Sequence, residues 1–317
     1  MSLLAPGPHG GDGARLAAAL GVEVTSIVDL SQSLNPVAVD PAGIVAKHLG
    51  ALGRYPDSKA ATEALAGAMG RDPDQLLLTN GGAEAIALVT AELGGSVREP
   101  EFSLHPRGGG PRWRSNPSSP LGRLAGADER AAVWDEAFYP MATGQWTRGD
   151  EGSVVVGSLT KLLSCPGLRV GYVLASSEFV AAVRRRQTTW TVNALVAESL
   201  ADLLATVDLA GTSRAVAVLR GELAKVLVRH GLAPWPSDAN WLLVEATGLR
   251  DALARHGVLV RDCATFGLAG VVRLAVTTPA QLERLDDALT RAAGEFSSSR
   301  ERRAGVQNDT ERGVDHE

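Results

Sequence analysis

The chain has 317 residues, of which 45% are hydrophobic and 21% charged, with a formal net charge of −5. That length can bury a sizeable core in one or two domains. No apolar run reaches the ~18 residues of a membrane span, and no basic region followed by an apolar stretch opens the chain, so neither a membrane segment nor a signal peptide is expected. Mild negative charge without a basic stripe argues against nucleic acid as a partner. Two cysteines, Cys165 and Cys263, make no disulfide framework and fit a reduced, cytoplasmic setting.

Gln75 to Thr79 reads as a buried strand running through Asn80-Gly81-Gly82-Ala83-Glu84 into an apolar helical pattern that ends near Leu93. Ser103 to Leu124 is rich in Gly, Pro, Arg and Ser and reads as an irregular loop. Short strands are expected at Ala132–Asp135, Ser153–Val156 and Leu168–Ala175, with helices near Glu178–Arg186 and Asn193–Thr206. Strands alternating with helices imply α/β architecture with a largely parallel sheet. After about residue 210 the pattern changes. A helix over Ser213–Gly231 precedes strands at Trp241–Glu245, Val258–Arg261 and Val271–Val276, and a helix over Pro279–Ala293 closes the pattern. This implies a smaller α+β domain. The polar stretch from Ser297 to Glu317 lacks apolar periodicity and is expected to be disordered.

Four features fall at strand ends, where open α/β sheets bind ligands. The glycine turn at Gly81-Gly82 opens a helix, so its N–H groups and the helix dipole suit a phosphate, although a plain tight turn has the same sequence. Asp135 closes an apolar strand, where a buried acid needs a cation or N–H partner. Lys161 is one of only four lysines. It follows Gly157-Ser158-Leu159-Thr160 and precedes Arg169 by eight residues, a setting for an amine nucleophile toward a carbonyl or for an idle loop lysine. Arg169 is placed to clamp a phosphate or carboxylate. A phosphate cradle, an acid, a lysine amine and a second cation are jointly what pyridoxal 5'-phosphate needs. No metal is expected.

At these positions the chain resembles the fold-type I pyridoxal phosphate-dependent enzymes of the class I/II aminotransferase family. The resemblance runs from about His9 to Ala293. It is carried by His9-Gly10-Gly11, Asp29-Leu30-Ser31 through Leu34-Asn35-Pro36, Arg54-Tyr55-Pro56-Asp57, Asn80 to Glu84, Asp135-Glu136-Ala137-Phe138, Ser158 to Lys161, Pro166 to Arg169, Arg261-Asp262-Cys263 and Val272-Arg273-Leu274. The threonine-phosphate decarboxylase branch of cobalamin synthesis and the histidinol-phosphate aminotransferases are the most similar groups. The family implies a fold-type I transferase with a mostly parallel central sheet in a large domain and a smaller α+β C-terminal domain. The expected boundaries are an N-terminal arm over 1–40, the large domain over 41–208, the small domain over 209–295 and the tail over 296–317.

The resemblance also implies roles. Lys161 forms the Schiff base and moves protons, and Asp135 pairs with the pyridine nitrogen. Gly82, Ala83, Ser158 and Arg169 hold the cofactor phosphate. Tyr55 reaches the phosphate of a neighbouring subunit, which implies a homodimer. His105 stands where the family stacks an aromatic ring on the pyridine. Arg273 binds the substrate carboxylate with Asn35 nearby, and His9 and Arg261 meet a substrate phosphate. The expected substrate is a small phosphorylated amino acid or amine. L-Threonine O-3-phosphate decarboxylation leads, histidinol-phosphate transamination follows, and a degenerate cofactor-fold protein is the third reading.

The chain departs from the family in three places. Ser119 replaces an asparagine that donates to the cofactor's phenolic oxygen. Phe138 replaces a tyrosine that does the same. The span from His105 to Asn116 is short where relatives place a helix–strand unit, which implies lost sheet cover and a lost strand.

Overall fold

The structure is a computed structural model in which residues 3–7 and 9–298 are described. Its strands, in chain order, are β1 (Val28–Asp29), β2 (Leu76–Thr79), β3 (Trp113–Ser115), β4 (Val133–Asp135), β5 (Val154–Ser158), β6 (Gly171–Leu174), β7 (Trp241–Thr247), β8 (Val258–Leu259), β9 (Arg261–Asp262), β10 (Val271–Ala275) and β11 (Ser297–Ser298). The chain divides into two compact units. The larger comprises Leu34–Ala217 with Asp238–Asn240, and the smaller the remainder. The larger unit thus begins several residues before the expected boundary at 40 and ends several residues after the one at 208. The disordered tail expected from residue 296 lies outside the described residues after Ser298.

The larger unit is built on a five-stranded sheet in the order β2-β6-β5-β4-β3. Four strands run one way. β6 runs against its neighbours β2 and β5, while β3, β4 and β5 pair in parallel. Period-2 alternation assigns the side chains to two faces. Leu76, Leu78, Trp134, Val155, Tyr172 and Leu174 pack with Leu65 and Leu200 on one face. Leu77, Val133, Val156 and Val173 pack with Ile86, Val89, Val180 and Val183 on the other. Helices Lys59–Met69 and Ala194–Leu204 supply the first cover, and helices Gly81–Leu93 and Ser177–Arg184 the second. Burial on both faces explains why these strands read as short continuous apolar runs.

The smaller unit has a four-stranded sheet in the order β11-β7-β10-β9 and a separate β1–β8 pair. Leu30, Leu223, Leu227, Leu242, Val244, Leu274, Leu285 and Leu289 form its main core. Helix Pro279–Arg291 begins under a Thr278 side-chain cap with proline in its first turn, which satisfies one of the helix's free N–H groups.

Several expectations are corrected. Ser103–Leu124 is not wholly irregular, because β3 lies within it and forms the edge of the large sheet, so a strand survives in the short span. Trp113 and Ser115 are buried and Arg114 points away, but three residues between Gly- and Pro-rich flanks show no readable period. The strand expected over Leu168–Ala175 is confined to Gly171–Leu174. Arg169 has φ +58°, a left-handed conformation that no strand residue adopts. The single strand expected over Val258–Arg261 is two strands. β8 pairs in parallel with β1, and β9 pairs antiparallel with β10. The helix expected from Ser213 begins at Leu209.

Candidate active site

The parallel strands of the larger unit bring the chemistry-bearing residues to one edge. Thr79 stands opposite Gly171, and Gly171 opposite Ser158. Ser115 stands opposite Asp135, and Asp135 opposite Val156. Thus the ends of β2, β3, β4 and β5 and the start of β6 share a line. A cavity of about 610 Å³ opens at the opposite end of the strands, beside Gln75, Ala132, Val154 and Ala175. It carries none of the residues singled out by the sequence.

Lys161 lies in the short helix Leu159–Leu162 that follows β5 directly. That turn is pinned from both sides. Leu159 and Thr160 donate their backbone N–H groups to Val170 O at 3.1 and 3.3 Å, and Asn35 N donates to Lys161 O at 3.0 Å. The Asn35 side chain donates to Leu162 O at 2.9 Å and accepts from Val37 N at 3.1 Å. Asn35 was expected beside the substrate carboxylate. Its amide is instead occupied at both ends in holding the lysine turn. Cys165, in the same turn, is inert, because burial pushes its thiol up to about 11.

Ser158, Gly82 and Arg169 converge at the N-terminus of helix Gly81–Leu93, a 13-residue helix. Gly81 has φ +79°, and a Cβ there would lie 2.3 Å from Arg169 Nη2. The guanidinium therefore lies directly over the glycine. A Cβ on Gly82 would meet Ser158 Cβ at 3.2 Å, and one on Gly171 would come within 2.6 Å of both Gly81 C and Gly82 N. Backbone, hydroxyl and guanidinium thus surround a helix N-terminus whose first N–H groups have no intrahelical acceptor and whose dipole favours an anion. The three glycines let backbone, hydroxyl and guanidinium crowd this helix N-terminus, an arrangement that suits an anion such as a phosphate.

Asp135 is 8% exposed. Its Oδ1 accepts from Ala137 N at 3.0 Å, and its Oδ2 lies 2.9 Å from His105 Nε2. His105 was expected to lie on the face of a pyridine ring. It is instead fully buried against Asp135, with Phe102 at its edge and Trp113 beside it. A buried carboxylate attracts the nearest imidazole N–H, because leaving it without a donor is costly. Ser119 is buried and its N–H donates to Ser115 Oγ at 2.8 Å. Tyr55 is 79% exposed and stacks on Trp190 with ring centroids 4.4 Å apart.

Beside Asp135, Glu136 is 1% exposed, and both its oxygens accept from Arg148 N. Burial pushes its carboxyl up to about 7, against the opposing pull of the Thr147 and Arg148 hydrogen bonds. Burial also pushes the Tyr172 phenol up, with Glu136 and Asp135 adding to the effect. Glu136, Gly171 and Glu101 were not singled out from sequence. Their neighbours are distant in sequence, and no spacing in the chain announces them.

The smaller unit holds the remaining expected residues. Arg273 on β10 stands directly opposite Arg261 on β9. Arg273 is 8% exposed, lies 5.0 Å over the Trp241 ring, and its Nε has no hydrogen-bond partner. Among the described residues it forms no ion pair. Burial lowers it to about 10, with the facing Arg261 contributing, so it remains a cation at neutral pH. Arg261 donates to Gly7 O and Thr265 Oγ1, each at 2.8 Å. His9 and Arg261 line one small cleft together with Arg250 and Ser31. Two buried like charges opposite each other are unfavourable unless an anion joins them.

A sequence profile of the aminotransferase class I and II family matches residues 117–289, more than half of the chain. The chain belongs to that family. It is 27% identical to histidinol-phosphate aminotransferase 2 of Methylococcus capsulatus, over 84% of the chain and 90% of that protein. It is 28% identical to the threonine-phosphate decarboxylase of Salmonella typhimurium, over 89% and 95%. The fold is shared with the histidinol-phosphate aminotransferase of Sinorhizobium meliloti solved with pyridoxal 5'-phosphate (TM-score 0.74, 17% identity, 92% of this chain and 95% of that one). It is shared also with the L-threonine-O-3-phosphate decarboxylase of Porphyromonas gingivalis (TM-score 0.70, 24% identity, 83% and 98%). The chain is thus a pyridoxal phosphate-dependent enzyme, an aminotransferase or a lyase. The residues of the larger unit suit that cofactor: the helix N-terminus at Gly81 and Gly82 gathers a guanidinium and a hydroxyl, Asp135 is a buried acid at a strand end, and Lys161 lies at the same sheet edge.

Two outcomes are expected. Gly171→Ala drives a methyl into the backbone of Gly81 and Gly82 and should weaken pyridoxal phosphate binding by about tenfold or more. Gly167→Ala, with nothing within 4 Å, should leave it unchanged; absorbance titration distinguishes them. The folded-state value of Glu136 lies above its ordinary 4.5, so folding retains a proton that the unfolded chain releases. Its stabilising effect is present below pH 4.5 and is lost as pH rises toward 7. Melting scans of wild type and Glu136→Gln should therefore diverge over that window, with the variant gaining relative stability as pH rises.

Proposed function

We propose that the protein is a pyridoxal phosphate-dependent decarboxylase of a small phosphorylated amino acid, with L-threonine O-3-phosphate as the leading substrate. The observation that carries this reading is the pair Arg261 and Arg273, two buried guanidinium groups on residues that face each other across β9 and β10. A phosphorylated amino acid offers two anions, a phosphate and an α-carboxylate. Arg273, whose Nε is unpartnered, takes the carboxylate, and Arg261 with His9 takes the phosphate.

When bound, pyridoxal phosphate supplies an aldehyde for an amine and a protonated ring that draws electrons from a bond at the substrate's Cα. Lys161 provides the resident amine and afterwards carries the proton to and from Cα. Asp135 would pair with the ring nitrogen. Gly82, Ala83, Ser158 and Arg169 fix the phosphate and so the ring's position. Ser119 serves the phenolic oxygen. By fixing the carboxylate, Arg273 would set which bond at the substrate's Cα the bound cofactor weakens, and so would select between loss of CO2 and loss of a proton. A homodimer in which Tyr55 reaches the phosphate of the second copy is consistent with its exposure on Trp190. Among the described residues no helix is long and apolar enough to cross a membrane, and a cytoplasmic location is proposed.

The runner-up is transamination of histidinol phosphate. It is favoured by the number of similar proteins that bear the name histidinol-phosphate aminotransferase, among them those of Methylococcus capsulatus and Symbiobacterium thermophilum. Holoenzyme given L-threonine O-3-phosphate should release CO2 and 1-amino-2-propanol phosphate without 2-oxoglutarate. Release of glutamate from histidinol phosphate and 2-oxoglutarate, with no CO2 from the first substrate, would reverse the order of the two readings. Lys161→Ala should lose both activities and the red-shifted absorbance of bound cofactor. Arg273→Ala should raise KM for the amino acid by about ten- to a hundredfold, as expected for losing a charge-assisted pair, while cofactor affinity stays at the wild-type value.

A further inference from the structure

Behind Asp135 lies a second buried acid that the proposed chemistry leaves unused. Glu101 is 3% exposed, in the segment that precedes β3. Three donors converge on its carboxylate. Ser115 N donates to Oε2 at 2.9 Å, Phe102 N donates to Oε1 at 2.9 Å, and the Ser115 hydroxyl also donates to Oε1. On the remaining side Oε1 stands 3.8 Å from His105 Nδ1. His105 is thus held between two carboxylates, with Nε2 2.9 Å from Asp135 Oδ2. Ser115 Oγ, while donating to Glu101, accepts from Ser119 N at 2.8 Å.

One carboxylate therefore stands behind two separate loops. Through His105 it reaches Asp135, the group for the ring nitrogen. Through Ser115 it reaches Ser119, the residue for the phenolic oxygen. We propose that Glu101 is a positioning residue that fixes the two polar grips on the cofactor ring relative to each other. The proposal rests on the functional reading given above.

The physical grounds are independent of that reading. A buried carboxylate is costly unless its lone pairs are filled. Here they are filled by groups that the site itself needs held still. A carboxylate at Asp135 accepts, and the proton of that pair then sits on Nε2 of His105. Nδ1 is buried without a hydrogen-bond partner among the described residues and stands 3.8 Å from the Glu101 carboxylate, so a change of charge at Glu101 is felt at the ring that Asp135 holds. The Ser115 hydroxyl has one proton, and giving it to Glu101 leaves its lone pairs for Ser119 N. Removing Glu101 frees that hydroxyl to turn, so the lone pair that accepts from Ser119 N is no longer held in place. A group whose work was only to pin the loop would not couple these two ends.

The test uses full-length protein, first without and then with pyridoxal phosphate. Side-chain ¹⁵N spectra of cofactor-free wild type should show His105 protonated at Nε2, assigned by its loss in His105→Gln. Glu101→Gln keeps the shape but presents an NH2 group and no charge. It should shift the His105 nitrogen resonances, weaken pyridoxal phosphate about tenfold and displace the visible band of bound cofactor. Ser115→Ala should displace the band and weaken binding while moving the His105 nitrogens less than Glu101→Gln does, because it removes one donor to Glu101 and keeps the carboxylate's charge. Unchanged His105 resonances together with affinity within about twofold of wild type in Glu101→Gln would overturn the proposal. If Glu101→Gln does not fold, Ser115→Ala decides, and wild-type affinity with an undisplaced band in that variant is the overturning result. If wild type itself binds no pyridoxal phosphate, the functional reading fails. The cofactor-free spectra then decide the Glu101–His105–Asp135 link alone: His105 nitrogens that shift in Glu101→Gln support it, and unmoved ones overturn it.

Discussion

The larger unit depends on a contact in which no side chain takes part. Gly171, the first residue of β6, lies against the backbone of Gly81 and Gly82 so closely that no Cβ fits between them. This contact joins the strand that runs against its neighbours to the N-terminus of the helix after β2. The approach brings Arg169, two residues before Gly171 and in a left-handed conformation, across the Gly81 backbone. It also sets Ser158, the register partner of Gly171, beside Gly82. The cradle is thus a product of three glycines allowing backbone to meet backbone, and its cation and hydroxyl follow from register.

The second organising constraint is the burial of charge. Asp135, Glu101 and Glu136 lie near one another in the larger unit, each less than a tenth exposed, and no lysine or arginine forms an ion pair with any of them among the described residues. Their oxygens are filled by backbone N–H groups, a serine hydroxyl and an imidazole. Backbone N–H groups fill most of these positions, so the cost of burying the three acids is offset by hydrogen bonds and not by ion pairs with lysine or arginine. In the smaller unit the sign is reversed. Arg261 and Arg273 are buried on facing strands, with carbonyl, hydroxyl and aromatic groups against them. Each unit keeps in reserve the charge that an incoming ligand would complement.

The elements read most easily from sequence were those whose side chains repeat a face. The strand over Leu76–Thr79, the helix that follows it and the closing helix from Pro279 emerged close to their expected limits. The elements that escaped were short or had partners far away in sequence. β3 spans three residues, too few for a period. The run Val258–Arg261 reads as one strand, yet the segment is shared between β1 and β10, a division that only the partners define. Asn35 and His105 stood out by their place in the chain, but their contacts did not. One amide is turned onto the lysine helix and one imidazole onto Asp135.

The sequence by itself determined the α/β class, the glycine turn, the lysine, the strand-end acid and the family, because these rest on local periodicity and on residue types that few chemistries require together. Only the tertiary structure decided which groups touch. Hydrogen bonds and buried charges act over about 3–4 Å, and residues at that distance here are separated by 30 positions in the case of His105 and Asp135 and by 14 in the case of Glu101 and Ser115. Packing of the segment before β3 against the ends of β3 and β4 closes those gaps, and the register of β3 on β4 follows from how whole faces pack.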